Sequence, residues 1–340
     1  MPPSITVEPI RASMLLDVEG VGGHPKDLKP QGLPPGNSTL NIQIEGLDRS
    51  FAALWRGGSV IGIGSIGEEE ENSLRRKRSL ILQTLAAALL SSQVRANASS
   101  PALPNVYLVT PHTSQTIPML HVLLATTISD SQAAIELLRT VRVLQYFDLA
   151  GLAESLAEIS QDLFRRTHAT DEPVAAEVGR HALPKDIVVI QGLGETVSAT
   201  HRRSGLVQSN ALLGNLMRNI TQISRISKDV LVLVEVALET GAPSNPQSYQ
   251  EAARARRAHA TIQLESVFAG PNGETLRLYS GHETLARTLE ADLNCIVVAH
   301  DGFGRVKEKG RPNESSEQVV EVVKDRVGDL MGLWGIWKGG

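Results

Sequence analysis

The chain contains a single cysteine, no long apolar run and no histidine spacing typical of a metal site. Cys295 alone excludes an intrachain disulfide and a cysteine-built zinc site, and its setting, "LNCIVVAH", predicts a small core residue in an intracellular protein. No apolar run reaches the roughly 18 residues that a membrane-spanning helix needs, and no signal stretch is present. The sequence therefore predicts no secretion, no membrane partner and no metal site.

Aromatic residues and net charge are also scarce. Phe, Trp and Tyr make up 4% of a chain that is 41% hydrophobic, so the core must be mainly aliphatic. With 340 residues, the chain can bury at least one sizeable core of the kind found in α/β sheets covered by helices. The formal net charge is -4, without a basic excess. A nucleic acid would therefore be bound by a local patch and not by the whole surface.

Strand-like and helix-like segments alternate after a proline- and glycine-rich leader. The leader, residues 1–46, is predicted to be flexible, and residues 47–340 are predicted to form the core domain. Short apolar runs predict strands at "GSVIGIG", "NVYLVT", "VRVLQYF", "DIVVIQG" and "VLVLVEVAL". The predicted helices cover residues 79–95, 115–126 or 130–140, 149–165 and 206–227. This alternation predicts an α/β fold with a mostly parallel sheet flanked by helices.

The segments after Glu239 have a different character. Four of them predict late, antiparallel edge strands, namely "ATIQLESVF", "TLRLYS", "NCIVVAH" and "QVVEVVKDR". Residues 304–317 are polar enough to predict a flexible excursion from the core domain. We therefore expect a parallel core with antiparallel strands added late in the chain.

A glycine-rich stretch between a strand and a helix raises the question of phosphate binding. Gly62, Gly64 and Gly67 match G-x-G-x-x-G, the dinucleotide-binding fingerprint. The fingerprint also needs a carboxylate at the end of the next strand, but "NVYLVT" ends at Thr110. Four glutamates at 68–71 follow the third glycine and would repel a phosphate. The pattern therefore argues against an NAD(P)-dependent enzyme, which stays an alternative.

The same stretch resembles a remnant of the P-loop, G-x-x-x-x-G-K-[ST]. Arg78 stands where the phosphate-binding lysine would be, and Ser79 stands where the magnesium-binding hydroxyl would be, directly before an apolar helix. The loop from Gly64 to Arg78 is about eight residues longer than the motif allows. The sequence therefore predicts a degenerate phosphate-binding loop.

An ATPase also needs an apolar strand that ends in an aspartate, which orients magnesium. The run "DIVVIQGLGE" ends instead in Gln191, whose neutral amide cannot replace that carboxylate. Glu195 follows in what we expect to be a surface loop, and it could be recruited. The degenerate nucleotide site, Gly62, Gly64, Gly67, Arg78, Ser79 and Gln191, therefore has no predicted catalytic residue. We expect no cofactor, with ATP and magnesium as the alternative.

These segments resemble the RecA-like recombinases of eukaryotes, in particular the paralogs that assist homologous recombination. The matching segments occur in the family's order: "RGGSVIGIG", "LILQTLAAALL", "VRVLQYFDLAGLAESLAEIS", the run from "DIVVIQGLGE" to "NITQISR", and "DVLVLVEVAL". They span roughly residues 47–240, and "YFDLAGLAESLAEIS" is most similar to D-type paralogs, whose fungal counterparts belong to a Shu-type complex. The resemblance implies a RecA-like P-loop NTPase fold with degenerate Walker motifs.

The resemblance also implies a role in DNA double-strand break repair in the nucleus. The chain would stabilise or load recombinase filaments on single-stranded DNA, without hydrolysing ATP. It would do so in a hetero-oligomer with other recombinase paralogs, bound to the recombinase itself. One alternative is a paralog that binds ATP or hydrolyses it slowly in response to DNA. Another is a RecA-like subunit of the Elongator complex, since fold alone does not separate the two.

In this family two loops approach DNA, one after each of two strands. The first would contain "THRRSG" with Arg202 and Arg203, and the second "EAARARRAHA" with Arg254, Arg256 and Arg257. Guanidinium groups on mobile loops can neutralise phosphates and stack on bases. A solvated, exposed helix is the alternative for the Arg/Ala segment. Because aromatic residues are scarce in both loops, we expect this chain alone to bind single-stranded DNA weakly.

Two further features near the end of the chain have structural interpretations. His300 and Asp301 follow a predicted strand, and because no nucleophile is tied to them by a motif, we expect a strand-end turn. Trp334 and Trp337 lie close together in the last residues. We expect them to pack on the chain's own sheet, with a contact to a partner subunit as the alternative.

Overall fold

A computed structural model describes residues 10–11, 44–45, 54–55, 57–66, 79–96, 105–169, 186–241, 261–268, 275–300, 318–326, 328 and 330–337. The strands are β1 (Ile10–Arg11), β2 (Ile44–Glu45), β3 (Val60–Ile66), β4 (Asn105–Pro111), β5 (Val141–Tyr146), β6 (Asp186–Ile190), β7 (Val230–Glu235), β8 (Ala237–Gly241), β9 (Thr261–Leu264), β10 (Thr275–Tyr279), β11 (Cys295–His300), β12 (Gln318–Asp325) and β13 (Trp334–Trp337). The helices are α1 (Leu80–Ala96), α2 (Thr116–Ile128), α3 (Ser131–Leu138), α4 (Leu149–Ala169), α5 (Leu193–Ile226) and α6 (Glu283–Asp292).

The described strands form a large sheet and a small one. The large sheet has the order β1-β5-β4-β6-β7-β3-β11-β12-β13-β2, and the six strands from β5 to β11 are parallel to their neighbours in that run. The small sheet, β8-β10-β9, is antiparallel. The α/β class, the mostly parallel sheet and the flanking helices predicted from the sequence are confirmed.

The large sheet is covered by helices on both faces. One hydrophobic core holds α1, α2 and α3 against strand side chains such as Ile61 and Ile63. The other holds α4, α5 and α6 against side chains such as Val60 and Val232. Because the neighbours Val60 and Ile61 enter opposite cores, both faces of β3 are buried. Such two-sided burial explains why the parallel strands read as continuous apolar runs.

The late strands only partly follow the prediction of antiparallel edges. β9 and β10 are antiparallel in the small sheet, and β12 is antiparallel to β11. The prediction was wrong for β11, which lies inside the large sheet and is parallel to β3. All six residues of β11 are buried, and a run buried on both faces is typical of an interior parallel strand.

Helix α5 is interrupted by Gly205, where φ is 77° and ψ is 172°. A positive φ in this range is accessible mainly to glycine, so the residue permits the break. The part after the break packs into the second core through Leu213, Met217 and Ile220. The sequence predicted only that part, as 206–227. The part before the break packs on the small sheet, with Ser198 Oγ 3.2 Å from Tyr279 Oη.

The predicted leader and excursion lie mostly outside the described residues. Ile10–Arg11 and Ile44–Glu45 are the described parts of the leader, and they pair with β5 and β13 respectively. Residues 304–317 are not among those described. Within the described helices, none is both long and apolar enough to cross a membrane.

Candidate functional site

The carboxyl ends of β3 and β7 form a crevice because the chain leaves these two neighbouring strands towards opposite faces. After β3 the chain reaches α1 in the first core, whereas β8 follows β7 on the side of the second core. In open α/β sheets, ligands bind outside the carboxyl ends of strands at such points. A cavity of about 40 Å³ opens there, and it is lined by Ile63, Gly64, Ser65, Ser79, Leu80, Ile81, Glu235 and Val236.

Glu235 is the only carboxylate among the described residues that line this cavity. It is the last residue of β7, and its Oε2 accepts a hydrogen bond from the Gly192 N–H at 3.2 Å, at the start of α5. Burial raises the pKa of Glu235; the Gly192 hydrogen bond lowers it in part, and the charge of Glu195 raises it further. The crevice therefore contains a carboxyl group that would be stabilised by a proton or by a cation.

Gln191, at the end of the neighbouring strand β6, is held in a buried network of hydroxyl groups. Its side-chain Oε1 accepts hydrogen bonds from Thr116 Oγ1 at 2.6 Å and from Thr110 Oγ1 at 3.4 Å. Its backbone carbonyl accepts a hydrogen bond from Tyr146 Oη at 2.5 Å. Burial raises the pKa of Tyr146 to about 12, which keeps this donor protonated at neutral pH. The side chain of Gln191 therefore joins β4, β6 and α2.

Gly62 and Gly64 lie inside β3 and not in a turn. The prediction that they belong to a phosphate-binding turn is therefore wrong. A Cβ atom on Gly62 would lie 2.9 Å from Leu293 Cδ1, and a Cβ on Gly64 would clash with the side chain of Leu238. Both positions need glycine because neighbouring elements pack closely over β3. Gly67 and Arg78 lie outside the described residues.

Ser79 lies where the sequence predicted it, directly before the first residue of α1, and it lines the cavity. Ser65, at the carboxyl end of β3, lines the same cavity. Serine hydroxyls and a carboxylate are oxygen ligands of the kind that Mg²⁺ accepts. Ser65, Ser79 and Glu235 are thus the described side chains with oxygen ligands that line the cavity.

Glu235 was not predicted as a site residue, although a signal for it is present in the sequence. The run "VLVLVE" is an apolar strand that ends in a carboxylate, which is the pattern sought at β6. That pattern was assigned to β6 and not to β7, and the residue that follows β6 is Gln191. Glu195, which we expected in a surface loop, lies instead in the first turn of α5 and is exposed.

Arg202 and Arg203 lie in α5, just before the break at Gly205. Their predicted position in a mobile loop is therefore wrong, because the chain forms helix directly after β6. Both side chains are exposed, and neither forms an ion pair with another described residue. The second predicted group, Arg254, Arg256 and Arg257, lies outside the described residues. The two arginines of α5 remain available for an anionic partner.

His300 and Glu321 form a buried pair at the end of β11. His300 Nε2 lies 2.9 Å from Glu321 Oε2, and both side chains are almost inaccessible to solvent. Burial alone would raise the pKa of Glu321, but hydrogen bonds from His300, Ser266 and the Val267 N–H lower it below its usual range. The pair is a structural connection between β11, β12 and the segment after β9. Asp301 lies outside the described residues.

The two tryptophans of β13 have different environments. Trp337 is buried in the first core, as expected for packing on the chain's own sheet. Trp334 is 48% exposed, and its ring meets Phe268 edge to face at a centroid distance of 5.3 Å. The expectation is therefore confirmed for Trp337 and holds only in part for Trp334.

No protein-family model matches the chain, and no curated protein matches its sequence. The crevice between β3 and β7 and the exposed arginines of α5 are therefore assessed by their own chemistry. Among the residues that the structure describes, no group of three His, Cys, Asp or Glu side chains is placed to hold a metal ion.

Proposed function

We propose that the chain is a non-hydrolysing, RecA-like subunit of a nuclear complex that assists homologous recombination. In this proposal it stabilises recombinase filaments on single-stranded DNA and works with other recombinase paralogs and the recombinase itself. The family assignment rests on the resemblance of the segments between roughly residues 47 and 240. A mostly parallel α/β sheet with helices on both faces is consistent with it.

The neutral, hydrogen-bonded side chain of Gln191 is the observation that supports the proposed absence of ATP hydrolysis. Hydrolysis of ATP needs a carboxylate at this strand end to orient magnesium. Gln191 is neutral, and its amide oxygen already accepts hydrogen bonds from Thr116 and Thr110. Because the amide oxygen of Gln191 is engaged in these hydrogen bonds, the side chain connects neighbouring elements and does not act as a ligand for a metal ion.

A nucleotide-binding measurement tests this part directly. A fluorescent ATP analogue is titrated with the purified chain, first with magnesium and then with EDTA. We expect no magnesium-dependent binding at high micromolar protein, and the same result for Arg78→Ala and for a control, Arg225→Ala, on the exposed surface of α5. Magnesium-dependent binding that is lost in Arg78→Ala and kept in Arg225→Ala would contradict the proposal.

The DNA-binding part of the proposal depends on Arg202 and Arg203, which are exposed and unpaired among the described residues. Binding of a labelled single-stranded oligonucleotide is measured by anisotropy at several salt concentrations. We expect the double variant Arg202→Ala/Arg203→Ala to bind more weakly and to reduce the slope of log K against log salt by about 1.4, or 0.7 for each phosphate contact. The matched control is Arg218→Ala/Arg225→Ala, on the same helix. Equal effects of the two double variants would show that α5 binds DNA without preference for this site.

The partner part of the proposal needs a functional readout. The lifetime of recombinase filaments on single-stranded DNA is measured with and without the chain, in the presence of a candidate paralog. A longer lifetime that depends on Arg202 and Arg203 supports the proposal. An unchanged lifetime, with no co-purification of any paralog, would contradict it.

A second candidate function, an ATP-binding paralog, is favoured by one observation. Glu235 places a buried carboxyl group in the same cavity as Ser79, so a carboxylate and a hydroxyl are close together although the strand is not the expected one. If magnesium-dependent ATP binding is found, Glu235→Gln should abolish the magnesium dependence. Retention of that dependence in Glu235→Gln would exclude this candidate.

A further inference from the structure

Phe147 is the most exposed aromatic side chain among the described residues. Its exposed fraction is 80%, against 56% for Phe164 and 48% for Trp334. It follows β5 directly, at the same edge of the large sheet as Gln191 and Glu235. An aromatic ring that is not covered by its own chain offers a flat π surface to a ligand.

The ring of Phe147 is held in place on one side by His112. The two ring centroids are 4.9 Å apart and the planes are inclined by 37°. His112 is itself fixed, since its backbone N–H donates to the Tyr146 carbonyl at 3.2 Å and its Nδ1 lies 3.3 Å from Gln145 Oε1. The two rings therefore form a platform built on the ends of β4 and β5.

The backbone after Phe147 is also fixed. Asp148 Oδ1 accepts a hydrogen bond from the Gly151 N–H at 3.0 Å, and the Asp148 carbonyl accepts one from Leu152 at 3.0 Å. These bonds start α4 immediately beyond the platform. Because the backbone on both sides of Phe147 is hydrogen-bonded, binding would cost little backbone conformational entropy.

The chemistry around Phe147 identifies the ligand class. Beside Pro111 and Tyr146, which end the two strands, the nearby residues His112, Gln145 and Asp148 are polar and not fully buried, whereas anchors of protein interfaces usually lie in well-packed, desolvated pockets. A nucleobase has a flat face that can stack and polar edges that can accept or donate hydrogen bonds. None of these three polar residues is lysine or arginine, so they offer no permanent positive charge to a phosphate group.

We propose that Phe147 and His112 form a stacking platform for a base of single-stranded nucleic acid. This proposal rests on the proposed function and adds to it the aromatic contact that the predicted DNA-binding segments lack. The base would stack on the exposed face of Phe147, while Arg202 and Arg203 contact phosphates elsewhere on the strand. The two contributions differ in physical nature, because stacking is nearly independent of salt and phosphate neutralisation is not.

The test measures binding of a labelled single-stranded oligonucleotide and of an abasic strand with the same phosphates, each at several salt concentrations. We expect Phe147→Ala to weaken binding of the base-containing strand about 5- to 150-fold, the range for loss of one stacked base, without changing the salt slope. Phe147→Tyr should retain most of the affinity. The wild-type chain and Phe147→Ala should bind the abasic strand equally.

The matched control is Phe164→Ala, which removes another exposed phenylalanine, from α4. Thermal unfolding checks that each variant is folded, and the exposure of both side chains predicts little change. If Phe147→Ala binds like Phe164→Ala while Arg202→Ala/Arg203→Ala is weak, the platform is wrong and the proposed function stands. If the wild-type chain binds no oligonucleotide, both are wrong. Loss of paralog binding in Phe147→Ala with unchanged DNA affinity would make the platform a protein contact and would overturn the proposal.

Discussion

β6 and β7 lie side by side and both lead to a long polar side chain at the same edge of the sheet, but the two ends are built differently. Gln191, after β6, is neutral and its amide oxygen is satisfied by two threonine hydroxyls. Glu235, on β7, is a carboxyl group with a single backbone hydrogen bond and a raised pKa. An ATPase would have its magnesium-binding carboxylate at the end of β6, but the residue there, Gln191, is an amide with a structural role. The carboxyl group, Glu235, lies on the neighbouring strand β7.

This difference shows how a polar residue at a strand end can serve either packing or chemistry. A buried polar group that has its hydrogen-bond partners contributes to a fixed structure. A buried carboxylate with too few partners is stabilised when a proton or a cation arrives. The group in the crevice that can bind a proton or a cation is therefore Glu235 on β7. Changing Gln191 and Glu235 in turn tests this difference between the two strand ends.

The largest effect is expected from Gln191→Leu. This change removes the common acceptor of the Thr116 and Thr110 hydroxyls in a buried site, which should cost about 1–3 kcal/mol of unfolding free energy. The Thr116 hydroxyl keeps a contact of 2.7 Å to Ser114 Oγ, which places the expected cost towards the lower end of this range. Urea denaturation monitored by circular dichroism measures the change. Gln145→Leu, at a less buried strand end, is the control and should cost much less. A cost for Gln191→Leu no greater than for the control would refute a structural role of the amide.

An effect of opposite sign is expected from Glu235→Gln. Because burial raises the pKa of Glu235 above about 4.5, the folded chain binds this proton more tightly than the unfolded chain does. The contribution of this tighter proton binding to the unfolding free energy is therefore complete below about pH 4.5, and it is lost as pH rises through the raised pKa of Glu235 in the folded state. Glu235→Gln has no ionisable group at this position, so its stability should not fall in this way as pH rises. At neutral pH its unfolding free energy should exceed that of the wild type by about 0.5–1 kcal/mol.

The measurement for Glu235→Gln is the unfolding free energy of both chains at pH 4, 6 and 8. The difference between variant and wild type should grow with pH and then level off. A difference that is the same at all three values would show that Glu235 ionises normally in the folded chain. The Gly192 N–H can still donate to the amide oxygen of the variant, so the start of α5 should be preserved.

The smallest effect is expected from Glu195→Gln. Glu195 is exposed, and its charge contributes to the raised pKa of Glu235. Removing it should reduce the pH-dependent loss of stability by a few tenths of a kcal/mol, in the range of surface charge interactions. Glu154→Gln, another exposed glutamate, on α4, is the control. If Glu195→Gln has an effect in the Glu235→Gln background as well, the coupling does not run through Glu235.

Local patterns in the sequence predicted which segments form strands better than they predicted which strands lie side by side in the sheet. The runs that became β3 to β7 are mainly apolar, with polar residues such as Arg142 in β5 as exceptions, and that pattern indicates buried strands. The position of β11 beside β3 depends on pairing between distant parts of the chain, which no short segment encodes. For the same reason the sequence could not show that Glu235, and not Gln191, is in the cavity with Ser79.

The candidate site was predicted only in part, because two of the sequence patterns from which it was predicted can arise from more than one physical cause. Gly62 and Gly64 matched a phosphate-binding pattern, but they are small because Leu293 and Leu238 pack over them. The arginines of "THRRSG" were assigned to a loop because the family resemblance implies a DNA-contacting loop after β6. The small sheet packs against the first part of α5 and stabilises it as helix. Tertiary contacts therefore decided both cases.

The pairing of β3 also has a consequence for how the chain is made. Ile61 lies between Leu233 on one side and Cys295 on the other, so the central strand forms early in synthesis but finds both partners only late. Sheets built from such distant pairings fold slowly, since long segments must be closed before the contacts form. During synthesis the segment "VIGIGSI" is an apolar strand without its partners, which makes the nascent chain prone to aggregation until the residues near 300 have left the ribosome.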